Sequence, residues 1–400
     1  MWAPLHTGFA RLIERRQNPP LRRLNSVQCL RALAVLMVVS YHLTALFPDP
    51  AGVRRTIPAP LYFGYAGVDL FFVISGFIIT HVTRRDDVCV RQFVLKRLFR
   101  ILPFYWMVTA LLIALWVVFP EIIPVRGNDT TRFFVNSLFL LPQPERPVLG
   151  VGWTLEHELQ FYALIALLLL IGAKGWSARI LMAIFGTAVG LHVIADTDAI
   201  AWDWKIFSLY SFQFALGIVA YRFNALWRVN RGWPLTALAF AAFLATSIVV
   251  TPMMGFSREV DVVAQGMFGL LRVIGYGVAS ALLLLGVINL GIDEGQWHGR
   301  LTRVIIAIGD ASFMIYLTHN LIIHALALFT RQWKNISLIA AGSPIAIIVI
   351  VALGIAVHRF LERPLLKFFG ARFISLRADQ FVERPGNPSI GIPVRVNGRG

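Results

Sequence analysis

"CLRALAVLMVVSYHLTALF", residues 29–47, is long and apolar enough to cross a bilayer as a helix, yet it carries a guanidinium at Arg31 and an imidazole at His42. About 20 apolar residues span the ~30 Å hydrocarbon layer. An Arg at the centre of such a helix costs roughly 2.5–3.5 kcal/mol on insertion scales, so it faces a protein interior or a wet cavity rather than lipid. At 100° per residue, Arg31 and His42 fall within about 20° of each other on the helix, some 16 Å apart along its axis. Singly, a snorkelling Arg and a packing histidine are sufficient readings. On one shared face they point to a polar interior, where an imidazole can take up and return a proton.

The rest of the chain repeats the pattern. Its 400 residues are 57% apolar and only 14% charged, a balance that excludes an ordinary water-soluble domain. Further apolar runs lie near 61–81, 101–119, 153–172, 178–195, 206–222, 233–251, 265–290, 304–329 and 337–357. The expected fold is therefore all-α: a polytopic integral membrane protein of about ten transmembrane helices. The formal net charge of +16 does not imply nucleic acid, because Lys and Arg concentrate in alternate connecting segments. That asymmetry places both termini in the cytoplasm, and clusters such as "RLIERRQNPPLRR" and "RQFVLKRLFR" suit anionic lipid headgroups.

The expected organisation is a basic cytoplasmic tail over residues 1–28, a transmembrane domain over 29–372 and a disordered cytoplasmic tail over 373–400. The first 28 residues hold five Arg and no apolar core of signal-peptide length, so no cleaved leader is expected. Cys29 and Cys89 fall on the expected cytoplasmic side and are read as free thiols. No repeat between the two halves is evident of the kind found in inverted-repeat transporters.

Polar groups recur inside the other runs. The second, "LYFGYAGVDLFFVISGFIITH", holds Asp69 among small residues that permit close helix approach. A carboxylate in hydrocarbon needs a cation, a donor or water, and a buried partner such as an Arg is one reading. Arg97 and Arg100, one helical turn apart beside Lys96, form a basic pair suited to phosphates or to membrane orientation alone. "GVGWTLEHELQFY" carries Glu156, His157 and Glu158 together at the start of the fourth run. In the ninth, Ser312, Tyr316 and His319 share a face, with Asp310 and His324 nearby, and Arg272 adds a cation in the eighth. These are too many polar groups for lipid-facing helices. A polar core between helices accommodates them.

Taken in order, these stretches resemble the bacterial acyltransferase 3 family of membrane O-acyltransferases, over roughly residues 25–370. The resemblance rests on six signatures: Arg31–x10–His42, "GVDLFFVISGF", "KRLFRILPFYW", "WTLEHELQFY", "ASFMIYLTH" and a closing "LERP". The second and third are most similar to the branch that acetylates exopolysaccharides. Membership implies transfer of an acyl group, usually acetyl, from cytoplasmic acyl-CoA to a hydroxyl of a surface or secreted glycan, or of a lipid-linked oligosaccharide.

By that resemblance Arg31, Arg97 and Arg100 would bind acyl-CoA, and His42 would act as general base or transient acyl carrier. Glu158 would orient His42 or the acceptor. Asp69, Trp153, Tyr316 and His319 would lie on the cavity or acceptor side, with Asp69, Trp153 and Ser312 more architectural. No bound cofactor or metal is expected. The implied location is the bacterial inner membrane, with polysaccharide-assembly proteins as further partners. The chain departs from the family at Glu156 and His157, where small or apolar residues are common, leaving His157 either to tune the acceptor side or to be exposed. No large esterase-like domain, such as some relatives carry, is expected after the last helix. Two other classes fit composition alone: a transporter or flippase of a lipid-linked glycan, and a structural subunit of an export complex.

Overall fold

The computed structural model describes residues 24–46, 61–84, 88–118, 129–141, 143, 146–194, 207–226, 232–254, 266–295, 297, 299–330 and 336–374. The expected tails at 1–28 and 373–400 lie almost wholly outside them. Every regular element among the described residues is helical, as hydrocarbon demands: a helix satisfies its own backbone N–H and C=O groups where water cannot. The helices are α1 (Asn25–His42), α2 (Gly67–Thr83), α3 (Val90–Val118), α4 (Thr130–Phe139), α5 (Trp153–Leu170) and α6 (Ser177–Ile194). There follow α7 (Ser211–Leu226), α8 (Gly232–Met254), α9 (Gly266–Ile288), α10 (Arg300–Thr330), α11 (Ile336–Val357) and α12 (Arg363–Phe369).

Among the described residues, seven segments are long and apolar enough to cross a membrane: Asn25–Leu46, Gly64–Thr83, Val90–Val118, Gly232–Met253, Met267–Ile288, Arg300–Leu328 and Leu338–Phe373. The expectation of ten rests on three more runs, which are also helical but are α5, α6 and α7. Glu156, His157 and Glu158 at the start of α5 dilute its apolar character. The 16 residues of α7 give a rod of only about 24 Å.

Burial sorts these helices into an interior and a rim. The apolar window of the segment containing α2 is 67% buried, whereas that of the segment containing α11 and α12 is 17% buried. Leu338, Ile345, Ile348 and Leu353 accordingly present apolar surface outward, which suits a lipid contact. At the centre α1 packs on α2 and α10, and α2 packs on α7 and α9. The α2–α7 contact is backbone against backbone: a Cβ on Gly76 would strike the Phe214 carbonyl, and one on Gly217 the Val73 carbonyl. Small residues let helices approach this closely where lipid supplies no hydrophobic drive to association.

Polar contacts gather the helix ends. Lys174 Nζ donates to the Thr83 carbonyl at 3.3 Å, Arg222 to the Gly175 carbonyl at 2.8 Å, and Asn289 to Asn224 Oδ1 at 3.0 Å. The Ser26 amide donates to Asp293 Oδ1 at 3.1 Å, and the Ser26 hydroxyl bonds Asp293 Oδ2. These contacts join, at one end of the bundle, the turns that the charge pattern assigns to one side of the membrane. Cys29 and Cys89 are free thiols.

The most buried polar junction ties α2, α7 and α9. Asp69 is fully buried, with Arg272 Nη2 at 3.3 Å from Oδ2 and Gln213 Nε2 at 2.5 Å from Oδ1. The Arg272 guanidinium lies 4.9 Å from the Tyr65 ring centroid and 5.6 Å from that of Tyr210, two aromatic faces that help stabilise it. Breaking one partner of a buried pair leaves an uncompensated charge, at about 3–5 kcal/mol. Arg272→Met is therefore expected to lower the thermal midpoint of the detergent-solubilised chain sharply, and Asp69→Leu/Arg272→Met to recover most of the loss. Additive losses in the double variant would contradict this.

Candidate active site

A cavity of about 230 Å³ opens between α1, α2, α3, α5 and α10. Each helix contributes residues one turn apart, which is why the polar groups converge. Arg31 comes from α1, Arg97 and Arg100 from α3, Ser75 from α2, Glu158 and Tyr162 from α5, and Ser312 and Tyr316 from α10. Phe71, Phe72, Ile74 and Leu155 supply apolar wall between them.

Aromatic rings hold the cations. The Arg97 guanidinium sits 5.8 Å from the Phe93 centroid and 5.5 Å from the Tyr162 centroid, and that of Arg100 sits 6.0 Å from the Phe313 ring. Ring faces fix a guanidinium's plane while leaving its N–H groups for other acceptors. Glu158 supplies the opposing charge: it accepts from Ser75 Oγ at 3.2 Å and from the Tyr162 hydroxyl. Three buried polar atoms in the lining, Arg97 Nε, Gln28 Oε1 and Ser312 Oγ, have no hydrogen-bond partner among the described residues. A buried donor or acceptor left unmade costs about 1–3 kcal/mol, so a polar ligand in the cavity would gain by bonding these atoms.

Tyr316 forms part of the wall. Its hydroxyl lies 2.8 Å from Thr154 Oγ1 and donates to the Val151 carbonyl at 3.0 Å. Its ring centroid is 5.7 Å from that of His319, and His319 stands 4.9 Å from His42. His319 Nε2 lies 3.3 Å from His42 Nδ1. His42 Nδ1 also lies 2.9 Å from the Val38 carbonyl, and His319 is tied through its other nitrogen, Nδ1, to the Tyr316 carbonyl at 2.6 Å. An imidazole pair thus stands one side chain beyond the cavity.

Arg31, Arg97, Arg100, Glu158 and Tyr316 are brought together around the cavity, as the shared-face argument anticipates for α1 and α10. His42 and His319 form the adjoining pair, while Glu158 is held by Ser75 and Tyr162. Asp69 does not line the cavity but is buried in its pair with Arg272. Trp153 packs against Phe72, His157 and Tyr210 at 6.2, 5.4 and 5.5 Å between centroids. His157 is buried, not exposed, with Nδ1 2.9 Å from the Trp153 carbonyl. Sequence reading passed over Tyr162 and Gln28. Tyr162 lies one turn beyond Glu158 and so was legible from spacing, whereas nothing local marks Gln28.

A sequence profile of an acyltransferase domain matches residues 24–357. The chain is similar to the exopolysaccharide production protein ExoZ of Rhizobium meliloti (strain 1021), 30% identical over 335 residues that cover 78% of this chain and 92% of that protein. It is similar to the acyltransferase MdmB of Streptomyces mycarofaciens, 25% identical over 88% of this chain and 94% of that one. Part of it, 37%, is 31% identical to 24% of the peptidoglycan O-acetyltransferase OatA of Listeria monocytogenes serovar 1/2a. No solved structure matches the chain.

Three guanidiniums and one carboxylate, Glu158, line the cavity. Glu158→Gln preserves shape and removes the opposing charge. It is expected to tighten binding of inorganic pyrophosphate to the purified chain by about tenfold, a change of ~1.4 kcal/mol. Weaker binding in calorimetry would contradict the charge balance.

Proposed function

The chain belongs to the acyltransferase domain family, and from that premise we propose that it moves an acyl group, acetyl in the simplest case, from cytoplasmic acyl-CoA to a hydroxyl of a cell-surface or secreted glycan or of a lipid-linked oligosaccharide. The observation that carries this reading is the convergence of Arg31, Arg97 and Arg100 on one cavity that ends, at Tyr316, beside the His42–His319 pair. Guanidiniums suit the phosphates of CoA because their planar donors bind oxyanions in pairs. A largely apolar wall studded with Ser75, Thr154 and Ser312 suits the thioester arm, which has amides to bond and methylenes to bury.

Transfer from a thioester to an alcohol needs a base for the hydroxyl proton and donors for the developing oxyanion. The hydroxyl oxygen attacks the thioester carbonyl carbon while His42 Nε2 takes its proton. The C–O bond is complete when the C–S bond breaks, and the departing thiolate takes up the proton held by His42. Glu158 fixes the acceptor or the neighbouring donors, and Tyr316 and His319 line the passage. In this reading the chain lies in the bacterial inner membrane with Arg31, Arg97 and Arg100 toward the cytoplasm, where acyl-CoA is made. Anionic headgroups meet its basic turns, and polysaccharide-assembly proteins deliver the acceptor. An exopolysaccharide acceptor is supported by the similarity to the exopolysaccharide production protein.

Proteoliposomes supplied with labelled acetyl-CoA and a glycan extract test the reading. Arg97→Ala is expected to raise the half-saturating acetyl-CoA concentration about tenfold or more, the worth of one charged hydrogen bond, with the maximal rate changed less. Equal loss at every donor concentration would count against a phosphate clamp. His42→Ala, recovered at wild-type levels, should lose about 10²- to 10⁴-fold in maximal rate; more than a tenth of wild-type activity would remove His42 from the base role.

A further inference from the structure

Three distances at the His42–His319 pair bear on where its protons and lone pairs reside. A backbone carbonyl only accepts, so the Tyr316 carbonyl, 2.6 Å from His319 Nδ1, requires a proton on that nitrogen. His319 Nε2 of the neutral ring then carries a lone pair. The Val38 carbonyl, 2.9 Å from His42 Nδ1, likewise requires a proton there. That N–H is shared with His319 Nε2 at 3.3 Å, so the lone pair of neutral His42 lies on Nε2. Which nitrogen of a histidine reacts is set by the bond that the other makes.

Resting on the acyltransferase reading above, we propose that His319 is a positioning residue for His42: it accepts the Nδ1 proton, fixes the ring and presents Nε2 as the reacting nitrogen. When Nε2 takes the hydroxyl proton, the positive charge on His42 is met by the His319 lone pair and the Val38 carbonyl. Many hydrolytic sites place a carboxylate in this orienting role. Here the carboxylate of the cavity is committed to Ser75 and Tyr162. A neutral imidazole does the same work without a second charge to desolvate between helices. His319 is itself rigid, being fully buried, bonded to its own helix and ring-packed on Tyr316. Several turns away α1 and α10 also approach closely: a Cβ on Gly309 would strike the Gln28 carbonyl.

Two amide variants of the full-length chain in lipid nanodiscs separate this role from packing. Gln places a carbonyl oxygen near the Nε2 position and can still accept from His42. Asn places its amide near the Nδ1 position, keeps a donor for the Tyr316 carbonyl and is too short to reach His42. H319N is expected to lower kcat for transfer from acetyl-CoA about 10²-fold with the half-saturating donor concentration unchanged, and H319Q to stay within about tenfold of wild type. H319N at wild-type kcat, or both variants equally impaired, would overturn the proposal.

A second readout needs no transfer. Diethyl pyrocarbonate acylates an imidazole nitrogen through its lone pair, and two acceptors on Nδ1–H make Nε2 the better nucleophile. Carbethoxylation of His42, followed by peptide mass spectrometry, should slow severalfold in H319N and hold in H319Q. Equal rates in wild type and both variants would also overturn it. A wild-type chain that transfers nothing from acetyl-CoA would refute the acyltransferase reading instead, leaving the modification rates to decide the histidine pair.

Discussion

Ionised groups are costly among helices that sit in hydrocarbon, and the buried pair of Asp69 and Arg272 shows how the cost is met and what it fixes. Neither charge is stable there without the other, so α2 and α9 are held in one register. Gln213 brings α7 to the same carboxylate. Tyr65 covers the guanidinium and bonds Tyr276 through their hydroxyls at 3.0 Å. With α2 pinned from behind, its opposite face, through Phe71, Ile74 and Ser75, is presented to the cavity.

The same physics has a different outcome around the cavity. Arg31, Arg97 and Arg100 share the cavity lining with one carboxylate, Glu158, while Glu362 and Asp310 act on Arg31 from outside the lining. Arg97 Nε and Ser312 Oγ are buried without partners among the described residues. Asp69 meets Arg272 directly, whereas Arg31, Arg97 and Arg100 make no ion pair within 4 Å among the described residues, which divides the charged groups between architecture and cavity. That division supports a phosphate-bearing donor in the cavity and a base beyond it.

Much of this was legible before any coordinates. The shared face of Arg31 and His42 anticipated a polar interior, and the one-turn spacings of Arg97 with Arg100 and of Ser312 with Tyr316 anticipated convergent side chains. Spacing within a helix follows from 3.6 residues per turn; contact between helices does not. His42 and His319 are 277 positions apart, and no local pattern selects that partner over His157 or His324. Asp69 and Arg272 were each conspicuous as charges, but their union, like the part played by the neutral Gln213, depends on how helices pack. Of the ten expected crossings, seven are long and apolar enough among the described residues, and the runs of α5, α6 and α7 are helical as expected.

The central claim is that the cavity and its imidazole pair put an acyl group onto a glycan hydroxyl. It is tested most directly by proton NMR of surface and secreted glycans from a strain lacking the chain and complemented at matched membrane levels with wild type or His42→Ala. The account predicts that O-acyl ester resonances disappear on deletion, return with wild type and stay absent with His42→Ala. Ester signals unchanged by deletion, or restored equally by both forms, would contradict it.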